Sequence, residues 1–186
     1  MNTSVVMQKK FTYADYLLID DEKRYEVCEG ELIMVPAPAT RHQRISWKIE
    51  FIIGGYIEEN NLGDIFHAPT DVVLAEDVVV QPDILYVSRE RSSIIEPRAV
   101  MGAPDLVIEI ASPSTSFYDT VKKRDFYQRY GVQEFWLVFP EEKAIEVMIL
   151  KDGVYSEFAS AKEKGKVTSK VLSGLEVDLM VVFSGT

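Results

Sequence analysis

Two acidic residues stand where a chain ordinarily keeps apolar ones. In DLVIEIAS, residues 105–112, Leu106, Val107, Ile108, Ile110 and Ala111 have the character of a strand covered on both faces, and Glu109 interrupts them. A lone carboxylate is costly to bury unless it is paired or bound to metal. A structural salt bridge is one explanation of Glu109, and a functional acid is the other. The second gains from VVVQPDILYV, residues 78–87, where Pro82 breaks an apolar strand and Asp83 follows it. A bulge or strand end at that point would aim the Asp83 side chain. Two carboxylates on neighbouring strands suit a hard divalent cation such as Mg2+ or Mn2+. Magnesium takes one or two carboxylates and completes its shell with water and phosphate oxygens. The chemistry this pair could support is the binding of a divalent cation.

The elements that must position these acids are legible around them. Thr12 predicts the cap of a short helix, with Phe11 stapled onto Tyr16. RYEVCEGELIMV reads as an N-terminal β-hairpin turning at Glu29-Gly30. After the extended PAPAT, Thr40-Arg41-His42-Gln43 has the capping-box form, and Ile45, Ile49, Ile52, Ile53, Tyr56 and Ile57 recur at helical spacing as far as about Asn60. Strands are expected at about 65–75, 78–87 and 105–111, with Ser88–Gly102 a loop or lid. A second helix runs from about Ser116 to Tyr130, capped by Gly131. EFWLVFP reads as a buried strand, AIEVMIL and VYSEFAS as a hairpin, and EVDLMVVF as a last strand, which together make a C-terminal β extension. The class is α+β or α/β, a mixed β-sheet flanked by two substantial helices.

Composition bounds the function. The length, 186 residues, fits one domain, read as residues 1–186 with a core of about 11–183. Twenty Lys and Arg against 30 Asp and Glu give a net charge of −10, so a phosphate-binding surface must be a local patch. One cysteine, Cys28, forms no internal disulfide, and no apolar run is long enough to span a bilayer. The expected setting is the cytoplasm, with no membrane partner. His42, His67 and Cys28 lack zinc spacing, Ser112-Pro113-Ser114 lacks a nucleophile elbow, and there is no phosphate-binding glycine loop.

Taken in order, RYEVCEGEL, RHQRIS, QPDILYV, GAPDLVIEIASPST, a helix with Asp119, Lys123 and Tyr127, and GVQEFWLVFP resemble the Uma-type restriction endonucleases of the PD-(D/E)XK nuclease superfamily. The resemblance covers about residues 11–183 and implies a restriction-endonuclease-like core. It further implies Asp83 and Glu109 as metal-binding acids of the catalytic site, with Glu26 either a third ligand or the group that orients a water. The superfamily pattern places a lysine two residues after the second acid, where this chain has Ala111. Uma-type sequences carry the lysine on the following helix instead, which matches Lys123. Asp119, Lys123 and Tyr127 follow at i, i+4 and i+8 on one helix face, and an exposed Asp–Lys pair is the plainer reading of the first two. His42 matches the family histidine, with a role at phosphate or in proton transfer, or else is a surface histidine at a helix start. Glu26, His42, Asp119 and Tyr127 are therefore expected in support. One local departure is Phe139, where the family commonly has an acid.

The function expected on these grounds is a Mg2+- or Mn2+-dependent DNA endonuclease using Asp83, Glu109 and the displaced Lys123. Arg41, Arg44, Lys48 and Lys122 would contact DNA, and a homodimer is the expected assembly. The alternatives are a non-catalytic binding or scaffold protein of the same fold, and a hydrolase of a smaller phosphate ester.

Overall fold

Two long apolar runs each break at a proline, and each break carries the chain from one sheet to another. The computed structural model describes residues 10–112 and 117–185, with side chains described from 121 onward in the helix that begins at 117. The first break, around Pro69, separates β3 (Gly63–His67) from β4 (Asp71–Ala75). The second, Gln81-Pro82-Asp83, separates β5 (Val78–Val80) from β6 (Ile84–Ser88). The single strands expected at 65–75 and 78–87 are thus two strands each. Proline lacks the ladder N–H, so pairing stops at it and the halves are free to join different sheets.

The first sheet also contains β1 (Tyr25–Cys28), β2 (Glu31–Met34) and β7 (Ala99–Met101), in the order β2-β1-β5-β4-β7. Its β1–β2 hairpin turns at Glu29 and Gly30, both at positive φ, as the sequence predicts. The second sheet is formed by β3, β6, β8 (Leu106–Ile110), β9 (Glu134–Phe139), β10 (Ala144–Lys151) and β11 (Val154–Lys162). Its order is β11-β10-β9-β8-β6-β3, with β8 and β9 parallel and the other pairs antiparallel. Both sheets are mixed. A small third sheet joins β12 (Lys166–Thr168) to β13 (Glu176–Asp178).

Helix α1 (Tyr13–Tyr16) starts with the expected reciprocal Thr12–Asp15 capping box. Helix α2 (Thr40–Asn60) buries Ile45, Ile49, Ile53 and Ile57 against Ile84, Ile108, Trp136 and Ile145 of the second sheet. Its cap differs from expectation. Ala39, held extended after Pro38, is the N-cap, so Thr40 already lies inside the helix and caps nothing. Asn61, in the left-handed conformation, ends α2. Helix α3 (Phe117–Tyr130) packs Phe126 and Tyr127 on the opposite face of that sheet, beside Phe135, and Val72, Val78 and Val80 of the first sheet cover the same face. Tyr13 and Tyr16 of α1 lie over the far side of the first sheet, on Val27, Val73 and Val79.

Two further expectations change. Residues 88–102 do not form a lid: a 3-10 helix (Arg89–Ile94) leads into β7, which pairs in parallel with β4, and Arg91 bonds to Asp105 at 3.1 Å. The last run forms only the short β13 before Asp178 caps α4 (Leu179–Val182), where Leu179 and Val182 are buried at helical spacing. Among the described residues no helix is long and apolar enough to cross a membrane.

Candidate active site

Strand alternation aims Glu109. Along β8, Leu106, Ile108 and Ile110 face α2, which turns Val107 and Glu109 towards α3. Two α3 residues one helical turn apart meet the carboxylate there. Tyr127 donates its phenolic proton to Glu109 Oε1 at 2.6 Å, and Lys123 Nζ lies 3.2 Å from the same oxygen. Lys123 also holds Glu26 Oε1 at 2.8 Å, and that oxygen accepts the Gln81 backbone N–H at 2.8 Å. One ammonium therefore ties β1, β8 and α3 together. Asp119, on the first turn of α3, lies outside the described side chains.

The switch between sheets aims Asp83. Its backbone carbonyl accepts from Ala68, and Oδ2 accepts the Ile110 backbone N–H at 2.8 Å, which seats the side chain at the end of β8. His42 Nε2, from the first turn of α2, lies 3.1 Å from the same Oδ2, while His42 Nδ1 is buried without a partner among the described residues. Asp83, Glu109, Lys123, His42 and Ala111 all line one cleft of about 450 Å³, together with Arg24, Trp47 and His67.

The electrostatics follow from this crowding. Burial pushes the Glu109 carboxyl up to about 7. Lys123 pulls against that shift, the Asp83 and Glu26 charges add to it, and the Tyr127 hydrogen bond opposes it. Lys123 is held well above its usual range: burial works against the ammonium, but Glu109 and Glu26 outweigh it. Burial, then Glu109 and Glu26, keep the Tyr127 phenol protonated. His42 is raised on balance, because the hydrogen bond and charge of Asp83 and the charge of Glu109 exceed the penalty of burial. Cys28 is pushed up to about 11, mainly by burial, which makes it a poor nucleophile.

The donor set fits a hard divalent cation. Asp83 Oδ2 and Glu109 Oε1 are taken by protein donors, which leaves Asp83 Oδ1 and Glu109 Oε2 without a protein hydrogen bond among the described residues, in a shared cleft. Two carboxylate oxygens with room for water and phosphate are what magnesium accepts. Among the described residues no three His, Cys, Asp or Glu side chains converge as a ligand cluster. Glu26 does not line the cleft, and its place is against Lys123.

The cations expected to contact DNA from α2 have intramolecular partners. Arg41 bonds Glu141 and the Pro140 carbonyl, each at 2.6 Å, Arg44 bonds the Gly185 carbonyl, and Lys48 bonds Val181 and Ser184. None of the three lines the cleft, whereas His42, Gln43, Ser46 and Trp47 of the same helix do. Lys122, next to Lys123, is partly exposed.

Sequence reasoning missed Gln81. Its side chain accepts from Arg24 at 3.1 and 3.0 Å and donates to Asp71 at 2.8 Å, while its backbone N–H holds Glu26. Its position just before Pro82-Asp83 was the available signal. Glu134 was missed too. Fully buried, it accepts from Trp136 Nε1 and the Lys170 and Val171 N–H groups, so it anchors the C-terminal segment rather than the cleft.

Mixed sheets flanked by helices, with acids and a lysine gathered where the chain changes sheets, define a restriction-endonuclease-like α+β domain. The chain belongs to the Uma2 family, described as "putative restriction endonuclease", whose model matches residues 12–180. Its fold is similar to a crystal structure described as a "putative nuclease belonging to DUF820" from Anabaena variabilis ATCC 29413. That similarity has a TM-score of 0.78 at 24% identity, over 94% of this chain and 98% of the other. No curated protein matches the chain.

Proposed function

We propose that the protein is a Mg2+- or Mn2+-dependent endonuclease that hydrolyses DNA phosphodiester bonds at Asp83, Glu109 and Lys123. The observation that supports this most is the reach of Lys123, which brings an ammonium to Glu109 from α3 while Ala111 fills the strand position two residues on. Asp83 Oδ1 and Glu109 Oε2 would hold the cation. When bound, it supplies the positive charge that polarises a phosphate and acidifies a water. Lys123 and Tyr127 fix the Glu109 rotamer, and the Lys123 ammonium faces charge that develops on the phosphate. His42 and the Ile110 N–H fix Asp83, which makes His42 a positioning residue. Lys122 is retained as a DNA contact. A chain of net charge −10 should bind DNA weakly and lose that binding steeply as salt rises.

Supercoiled and linear DNA incubated with Mg2+, Mn2+, Ca2+ or EDTA tests the reading, alongside a panel of nucleotide phosphomonoesters. Cleavage of DNA in Mg2+ or Mn2+ is expected. Glu109→Gln and Lys123→Ala should each lose about 10²–10³ in rate. Undiminished cleavage in EDTA or by Glu109→Gln would overturn the site, and turnover of the small esters alone would overturn the substrate.

A further inference from the structure

Helix α2 leaves one face to solvent, and that face is self-complementary. Opposite its buried isoleucines run Arg44, Trp47, Phe51, Gly55 and Glu58, all exposed. Trp47 is 61% and Phe51 71% exposed, with ring centroids 5.8 Å apart. Arg44 gives one N–H to the Gly185 carbonyl, a neutral partner that leaves its charge uncompensated there, and the flanks of the face are occupied within the chain, where Lys48 bonds Ser184 on one side and Tyr56 bonds the Ser173 carbonyl. Gly54 and Gly55 then interrupt the middle of a 21-residue helix, where glycine is less favourable than alanine. Among the described residues nothing requires them. A Cβ on Gly54 would make an ordinary contact with Ile65 at 3.7 Å, and one on Gly55 would meet nothing within 4 Å.

Reversing α2 about Phe51 sets Trp47 opposite Gly55, Arg44 opposite Glu58 and Phe51 opposite its own copy. Each exposed aromatic then has bare backbone or another ring to fill, and each end has a charge to meet. We propose that this face is the interface of a homodimer with two antiparallel α2 helices related by a twofold axis at Phe51. Nucleic acid suits the face less well, since Glu50, Glu58 and Glu59 border the aromatic pair and would repel phosphates. The same register has a consequence for the clefts. His42 comes to lie opposite Asn60 of the partner, so the two His42 positions stand about 27 Å apart along the helix axis.

Light scattering after size exclusion, from roughly 1 to 100 µM, should give twice the 21.1 kDa chain mass, with dissociation on dilution. Phe51→Asp should weaken dimerisation about a hundredfold by placing like charges at the twofold. Arg44→Glu and Glu58→Arg should each weaken it about tenfold, and the double variant should recover most of the loss because the pairs re-form in reverse. That recovery separates a contact across the twofold from a disturbance of α2 itself. A wild type monomeric throughout the range would overturn the proposal. So would a double variant that dimerises no better than the single variants.

Discussion

Replacing Glu109 by glutamine should stabilise the protein, and more so at higher pH. Held at about 7 in the fold against an ordinary 4.5, the carboxyl keeps its proton in the native state over a range where the unfolded chain has lost it. Stability therefore falls as pH rises from 4.5 to 7 and stays lower above that, by up to about 3 kcal/mol. Glutamine has no proton to lose. It keeps the shape, and Lys123 keeps its pairing with Glu26 at 2.8 Å. Near pH 5 the two proteins should agree within about 1 kcal/mol, because Glu109 is then neutral in the fold. By pH 8 the variant should gain up to about 3 kcal/mol relative to wild type, or roughly 6–12 °C in melting temperature for a chain of this length. Thermal unfolding in EDTA at both pH values measures it. An unchanged difference between pH 5 and pH 8 would refute the assigned environment of Glu109.

Three expectations accompany this one. Millimolar Mg2+ or Mn2+ should raise the melting temperature of the wild type, more at pH 8 than at pH 6 because the cation requires the ionised Glu109, and Asp83→Asn should abolish the shift; thermal scans with and without metal decide it. Lys123→Met should cost about 3–5 kcal/mol at pH 8, since it strands Glu26 and Glu109 in the interior, and denaturant titration should show Glu109→Gln recovering part of that loss in the double variant. Tyr127→Phe should cost about 1–3 kcal/mol by denaturant titration and move the pH midpoint of metal binding upward, because it removes a donor that favours the ionised Glu109.

Much of the site was legible because its anomalies are local. A carboxylate inside LVIEI and an acid after Pro82 stand out without any structure, and both line the cleft. The i, i+4 spacing of Lys123 and Tyr127 set both against one oxygen of Glu109, so the plainer expectation of an exposed pair does not hold for Lys123. What the sequence hid depends on distant partners. Glu26 was legible as an acid of the site, as a third ligand or the orienter of a water, but its contacts with an ammonium nearly a hundred residues away and with the Gln81 backbone were not. Arg41, Arg44 and Lys48 looked available for phosphates, yet their partners lie in the β9–β10 turn and the C-terminal segment. Hydropathy could not show that the runs at 65–75 and 78–87 divide between two sheets, because both halves of each run are apolar. Thr40 carried the capping pattern, but the extended Pro38-Ala39 entry started the helix one residue sooner.

In the proposed site Asp83 and Glu109 would hold one divalent cation beside Lys123, in a cleft that would accept a phosphodiester. Anomalous scattering from crystals grown with Mn2+ and a short DNA duplex tests it most directly. The expected result is a manganese peak within roughly 2.1–2.3 Å of one oxygen from each carboxylate, with a DNA phosphate completing its shell and Lys123 Nζ within hydrogen-bonding reach of that phosphate or of Glu109. Manganese bound elsewhere, or bound by only one of the two acids with the DNA outside the cleft, would contradict the account.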